Sequence, residues 1–281
     1  MTYLAFHLVF ILPPLLLLAW LQRQPLAGIG GLRAWLGLPL IALVALIYTT
    51  PWDNYLVWRD VWHYGTDRVV GTIGYVPVEE YLFFILQPLL TGLWLYWLFP
   101  LTSEPAQQED SPWMRASGIV FWLVLSIAGA FMLQSDKTVY MGLILAWAGP
   151  ILALQWGVGA KQLWARKDAW LIGTLIPTVY LWIADRIAIG QGIWSISETY
   201  STGFKLFGLP IEEATFFLVT NLLVVQGLLL FLLVGNMRSL LPLISFPILN
   251  NGRPELPKAL AQVESGNDTV WNGCLYFPHT F

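Results

Sequence analysis

PVEEYLFFILQPLLTGLWLYWLF, residues 77–99, and PIEEATFFLVTNLLVVQGLLLFLLV, residues 210–234, decide the fold. Each stretch opens on Pro-x-Glu-Glu, places Phe-Phe three and four residues after the second glutamate, and then stays apolar to its end. A helix needs about 20 such residues to cross the roughly 30 Å of bilayer hydrocarbon, and both stretches are long enough. Further apolar runs predict spans at roughly 4–21, 33–50, 116–134, 138–157 and 169–189, seven spans in all. The class is therefore all-α, a polytopic integral membrane helical bundle. The first run is not a cleavable signal: no Lys or Arg precedes it, Arg23 follows it, and no small-x-small pattern ends it.

Composition agrees with this reading. The 281 residues are 57% hydrophobic and 11% charged, with a mean hydropathy of +0.64, whereas soluble domains are roughly a quarter charged. Seven spans leave little room for a second, soluble enzyme domain. The net charge is −3 and no basic run exceeds Arg166-Lys167, which excludes the phosphate-neutralising surface of a nucleic-acid binder. The single cysteine, Cys274, excludes an intramolecular disulfide and any multi-cysteine metal or iron–sulfur site. His7, His63 and His279 are scattered and form no helical ligand pair, so no metal is expected, and His7 reads as a bundle-facing or interfacial residue. Nine of the 14 Lys and Arg fall on one side of the seven spans, which predicts an external N-terminus and a cytoplasmic C-terminus.

The chain repeats itself. Trp52-Asp53, Trp62 and Tyr75–Phe84 line up with Ala184-Asp185, Trp194 and Gly208–Phe217. The offset is 132 for the aspartate and tryptophan and 133 for the Pro-x-Glu-Glu, so a one-residue gap in the loop suffices. The third and seventh spans are four apart and run in the same direction, placing both acidic starts on one membrane face. That is a parallel repeat about an axis along the membrane normal. The architecture reads 3+1+3: a first repeat at 1–100, a connecting span within 101–137, a second repeat at 138–235, and a tail at 236–281. Pro242, Pro247, Pro254 and Pro257 argue for weak order in that tail. The loops at roughly 51–76 and 190–209 carry Trp52, Trp58, Trp62, Tyr64, Trp194 and Tyr200, and are expected to cap the bundle at headgroup level.

Proline at the first helical position and carboxylates in the first turn have an ordinary reading, because free N–H groups and the helix dipole favour both. Duplication at the mouths of two long apolar helices favours a functional one, since ionisable groups at membrane depth are costly. Adjacent helical residues diverge by about 100°. One glutamate of each pair, Glu79 or Glu80 and Glu212 or Glu213, can therefore face the bundle interior while its neighbour caps the helix. Burial and a nearby like charge favour a protonated carboxyl, a proton donor. A neighbour kept ionised by Arg68, by Arg186 or by backbone N–H groups can accept a proton. Asp53 and Asp185, at the ends of the second and sixth helices, either join this group or remain solvated at the interface. Most of the 16 tryptophans belong to interfacial belts. The rings near the acidic starts, Trp52, Trp62, Phe83, Phe84, Trp182, Trp194, Phe216 and Phe217, could stabilise a cation by about 0.5–2 kcal/mol each.

The paired Pro-x-Glu-Glu helices, the Trp52-Asp53-Asn54 approach and the Pro210–Phe217 start resemble the membrane-embedded carotenoid cyclases of the lycopene cyclase domain type. In that family two homologous halves occur as separate small subunits or fused, and this chain resembles the fused form over roughly residues 1–235. The resemblance implies a lycopene β-cyclase acting on lycopene or a related linear carotenoid in the bilayer. It assigns acid and base roles to Glu79, Glu80, Glu212 and Glu213 collectively. It also implies possible association with other carotenoid-pathway enzymes. Two departures bound it. The Gly-x-Gly-x-x-Gly of soluble-type lycopene cyclases is missing, and Gly28, Gly30 and Gly31 follow no strand, so no flavin or other cofactor is expected. The Asp-rich motifs of a fused phytoene synthase are missing too.

Other readings fit less well. A retinal-binding seven-helix protein needs a lysine in the seventh span, which has none. A prenyltransferase needs Asp-rich metal sites, and Asp53, Asp60 and Asp67 are too widely spaced. A proton-coupled carrier or lipid transporter could use duplicated acidic half-sites. Ring formation on a polyene separates the cyclase from the carrier.

Overall fold

The computed structural model of the protein describes residues 1–22, 32–102 and 111–233. The glycines at 28–31 and the tail at 236–281, with Cys274 and His279, lie outside the described residues. Among the described residues seven helices are long and apolar enough to cross a membrane, and they match the seven runs read from the sequence. We number them α1 (Tyr3–Leu21), α2 (Leu32–Trp58), α3 (Val78–Leu98), α4 (Pro112–Met132), α5 (Val139–Ala165), α6 (Lys167–Gly190) and α7 (Ile211–Leu233).

Prolines shape these helices without ending them, because membrane helices re-satisfy the carbonyls that a proline frees. The sequence reading ended the second span near residue 50, before Pro51, but α2 continues to Trp58. Thr50 Oγ1 donates to the Leu46 carbonyl at 2.6 Å and Asn54 Nδ2 to the Thr50 carbonyl at 2.9 Å, stitching the helix across the proline. Trp52 and Asp53 are therefore helical rather than loop residues, and Asp53 is fully buried. In α1 a π turn at His7–Ile11 precedes Pro13 and Pro14. Pro14 cannot bond to the Phe10 carbonyl, which accepts the Tyr180 hydroxyl at 2.6 Å instead. The expected loop after 157 is nearly absent: α5 bends at Gly159 (φ −150°, ψ 43°) and reaches Ala165, one residue before α6.

α3 and α7 form the centre, each about two-thirds buried, whereas 6% of the apolar stretch of α4 is buried. Gln87 Nε2 and Thr91 Oγ1 of α3 both donate to Asn221 Oδ1 of α7 at 2.6 Å, and Asn221 Nδ2 donates to Thr178 Oγ1 of α6 at 3.0 Å. This network ties three helices at mid-bundle, where no water competes for its groups. α4 packs chiefly on α5, where Gly129 and Gly142 face each other closely enough that a Cβ on either would meet the other's carbonyl at under 3 Å.

The two long loops contain short strands that the sequence reading did not anticipate. They form short antiparallel ribbons: β1 (Trp62–Tyr64) with β4 (Trp194–Ile196), β2 (Thr72–Ile73) with β3 (Val76–Pro77), and β5 (Lys205–Leu206) with β6 (Leu209–Pro210). In the β1–β4 ribbon Trp62 faces Ile196, His63 faces Ser195 and Tyr64 faces Trp194. At an offset of 132, His63 faces its own counterpart, while Trp62 faces the counterpart of Tyr64 and Tyr64 the counterpart of Trp62. A two-fold axis between His63 and Ser195 is the relation that produces this pattern.

Candidate active site

Each Pro-x-Glu-Glu start hangs from the loop before it. The Val78 N–H donates to the Gly71 carbonyl at 3.0 Å, and the Ile211 N–H to the Phe204 carbonyl at 2.9 Å. Glu79 Oε1 accepts the Val70 N–H at 2.8 Å. Glu212 Oε1 accepts the Thr202 N–H at 2.7 Å and the Thr202 hydroxyl at 2.6 Å. These two glutamates are buried and hold the loops against the helix starts.

The second glutamate of each pair turns inward. Glu80 Oε2 accepts the Tyr3 hydroxyl at 2.6 Å and the Tyr64 hydroxyl at 3.2 Å. Glu213 Oε1 accepts the Tyr140 hydroxyl at 2.6 Å. Tyr3 opens α1 and Tyr140 opens α5, the first helix of each half. Their own N–H groups bond to the carbonyls of Arg68 and Tyr200, two loop residues 132 apart. The bonds of this first-helix tyrosine to the inward glutamate and to the loop carbonyl are thus repeated in both halves, whereas Tyr64 corresponds to Ile196, whose side chain has no donor for Glu213. Burial, with the Glu80 and Asp53 carboxyls nearby, pushes the Tyr64 phenol well above its ordinary value, so it stays a neutral donor.

Glu80, Glu213 and Asp185 open on one small chamber of about 20 Å³. Trp62, Trp194, Phe83, Phe216 and Phe217 wall it, with Tyr3, Tyr64 and Phe6. Trp62 meets Phe216 edge-on at 6.0 Å, and Trp52 stacks behind Phe216 at 5.6 Å and 5°. Asp185 Oδ1 accepts the Trp194 indole N–H at 2.7 Å, whereas among the described residues neither oxygen of Asp53 has a hydrogen-bond partner.

Other expected residues lie elsewhere. Phe84 faces an adjoining pocket, and Trp182 donates to the Ala214 carbonyl at 2.9 Å, pinning α6 to α7. Arg68 bonds to the Met1 carbonyl at 3.1 Å, and the Arg186 guanidinium lies over Gly208, where a Cβ would meet it at 2.7 Å. Among the described residues neither arginine forms an ion pair with a glutamate. Glu79 and Glu212 accept backbone N–H groups of the preceding loops instead. Trp62, expected both in the headgroup-level loop and among the cation-stabilising rings, and Tyr64, expected only in that loop, turn into the bundle because the ribbon folds them inward. Tyr3, Tyr140 and Phe6 escaped the sequence reading. The recurrence of a tyrosine at the start of the first helix of each half was the available signal.

The model of the family described as Lycopene cyclase matches residues 1–98 and 137–232. The chain belongs to the lycopene cyclase family. It is 46% identical over 232 residues to the "Lycopene beta-cyclase" of Halobacterium salinarum strain R1, covering 82% of this chain and 95% of that one. It is also 34% identical over 267 residues to the "Bifunctional lycopene cyclase/phytoene synthase" of Pyrenophora tritici-repentis, covering 91% of this chain and 44% of the fungal protein. A bifunctional protein of the same description from Colletotrichum graminicola is 39% identical over 206 residues, 68% of this chain and 34% of its own length. No solved structure matches the chain.

Proposed function

We propose that this protein is a lycopene β-cyclase, converting the linear end groups of lycopene into β-ionone rings. Family membership and one geometric observation support this reading. Two buried glutamates, each held by a tyrosine, open on a single aromatic-walled chamber. In the proposed reaction a carboxyl proton adds to the terminal double bond of the end group and leaves a tertiary cation. The internal double bond attacks this cation and closes the six-membered ring, shifting the charge to a ring carbon. A carboxylate removes a neighbouring ring proton, and the electron pair of that C–H bond becomes the ring double bond. No net electron is gained or lost, and the proton borrowed is returned.

Glu80 and Glu213 are the acid–base pair in this proposal, with Asp185 and Asp53 as nearby carboxyls that can relay the proton. Tyr3, Tyr64 and Tyr140 orient the carboxyls. The faces of Trp62, Trp194 and Phe216 stabilise the cation by about 0.5–2 kcal/mol each while excluding water that would trap it. Glu79 and Glu212 position the helix starts. The charge bias supports an external N-terminus and cytoplasmic C-terminus, with the chamber near the outer face. Substrate and product are both confined to the bilayer, which favours association with the enzymes that supply one and consume the other.

Expression in a lycopene-accumulating bacterium tests the proposal. Red cells should turn orange or yellow, and chromatography should show β-ring products. Protein present in the membrane with no β-ring product would refute it.

A further inference from the structure

The chamber is far smaller than a carotenoid end group, so its access route matters. A second pocket of about 100 Å³ lies against it, bounded by α2, α3, α5 and α7, and Phe83 and Phe216 wall both spaces. Ile41, Val44 and Ala45 of α2 and Ile151 of α5 make its outer part apolar. Val44 and Ile47 of α2 are at least half exposed, so this face of the bundle meets lipid. α2 and α5 themselves approach little. Aromatic side chains bridge their seam: Tyr48 stacks on Trp147 at 5.2 Å and 19° and its hydroxyl donates to the Trp147 carbonyl at 2.9 Å, while one turn further along α2 Trp52 stacks on Trp147 at 5.0 Å and 25° and its indole N–H donates to the Leu143 carbonyl at 3.3 Å.

The other half has the same latch but no matching pocket among those described. Tyr180 lies 132 residues after Tyr48, and Phe10 lies 137 before Trp147, the spacing that also separates Tyr3 from Tyr140. The Tyr180 hydroxyl bonds to the Phe10 carbonyl at 2.6 Å across the α1–α6 seam. Behind it Phe6 packs on Phe10 at 5.3 Å and on Trp194 at 5.1 Å, filling the space from within. The residue corresponding to Phe6 in the second half is the smaller Leu143.

We infer that the polyene enters from the lipid through the α2–α5 seam, with Tyr48 and Trp147 as its gate, and that the α1–α6 seam stays shut. This rests on the cyclase reading above. The occupant is the linear polyene: one end group passes Phe83 and Phe216 into the acidic chamber while the unsaturated chain lies along the pocket. A single lateral opening admits one end at a time, so the second ring requires release and re-insertion of the other end.

The test uses the full chain with Cys274→Ser and either of two cysteine pairs, Tyr48→Cys with Trp147→Cys or Phe10→Cys with Tyr180→Cys. Conversion of lycopene in proteoliposomes is followed before and after a short bis-maleimide bridges each pair. Bridging α2 to α5 should slow conversion by about tenfold or more, and bridging α1 to α6 should leave it within about twofold. Unchanged conversion after bridging α2 to α5, or loss on bridging α1 to α6 alone, would overturn the assignment. Membrane-inserted, unbridged proteins that form no β-rings would instead overturn the cyclase reading. A binding readout separates the two further. Ala45→Trp fills the pocket and should weaken quenching of tryptophan fluorescence by lycopene about tenfold, whereas wild-type binding and turnover in that variant would refute the route.

Discussion

Glu80 and Glu213 each take a tyrosine hydroxyl at 2.6 Å, whereas Glu79 and Glu212 each take a backbone N–H from the preceding loop. The four carboxyls, to which the family resemblance gives acid and base roles collectively, thus have two kinds of partner. Glu80→Gln or Glu213→Gln removes the acid and should lower lycopene conversion by about 100-fold or more with membrane insertion intact. Glu79→Gln and Glu212→Gln keep an oxygen that accepts the loop N–H, and should cost less than about tenfold. Chromatographic product yield with an immunoblot of the membrane fraction checks both, and wild-type turnover in Glu80→Gln and Glu213→Gln would move the role to Asp53 or Asp185. Tyr64 supplies a pH test. Its folded pKa is raised, so its contribution to stability is complete below about pH 10 and is lost as pH climbs toward the folded value. Tyr64→Phe should flatten the fall of melting temperature on the alkaline side, and an unchanged slope would show that other groups dominate it.

At the scale of elements, the helices were legible because apolar length is a strong signal, and the ribbons were not. Two- and three-residue strands such as β2 and β1 are too short to show alternation. Sequence rules treat a proline such as Pro51 as a helix stop, whereas α2 runs through it with Thr50 and Asn54 making side-chain bonds to the Leu46 and Thr50 carbonyls on either side. The Gln87–Thr91–Asn221 network was invisible for another reason: its members come from two helices and meet only when those helices pack. Asn221→Leu keeps the branched shape but strands Gln87 and Thr91, and should destabilise the protein by about 1–3 kcal/mol. A melting curve in detergent that matches the wild type would show that the network contributes little.

Across the whole molecule, the doubled acidic motif pointed to the carboxyls of the proposed site, while the chamber's lining is assembled only when both halves fold together. α4 adds little burial of its own. Its contribution is parity, since one connecting span lets α5 start on the same face as α1. Deleting α4 from the single chain would turn the second half over, put β4 across the membrane from β1 and separate Glu213 from Glu80. No β-ring product should form. Co-expression of the two halves as separate chains should restore conversion, and activity in the deleted single chain would contradict the shared-face geometry.

The one-residue difference between the halves can now be placed. Val70 and Thr202 correspond at 132, and Gly71 and Phe204 at 133, by the bonds they make to the two helix starts. The extra residue is Gly203, whose φ of +79° suits a glycine. It lies outside the β1–β4 ribbon, where one added residue would flip Trp62 or Trp194 to the opposite side. Length drift between duplicated halves, whether by mutation over generations or by deliberate insertion, is therefore tolerated at the 70–71 and 202–204 junctions and lethal to the site a few residues earlier.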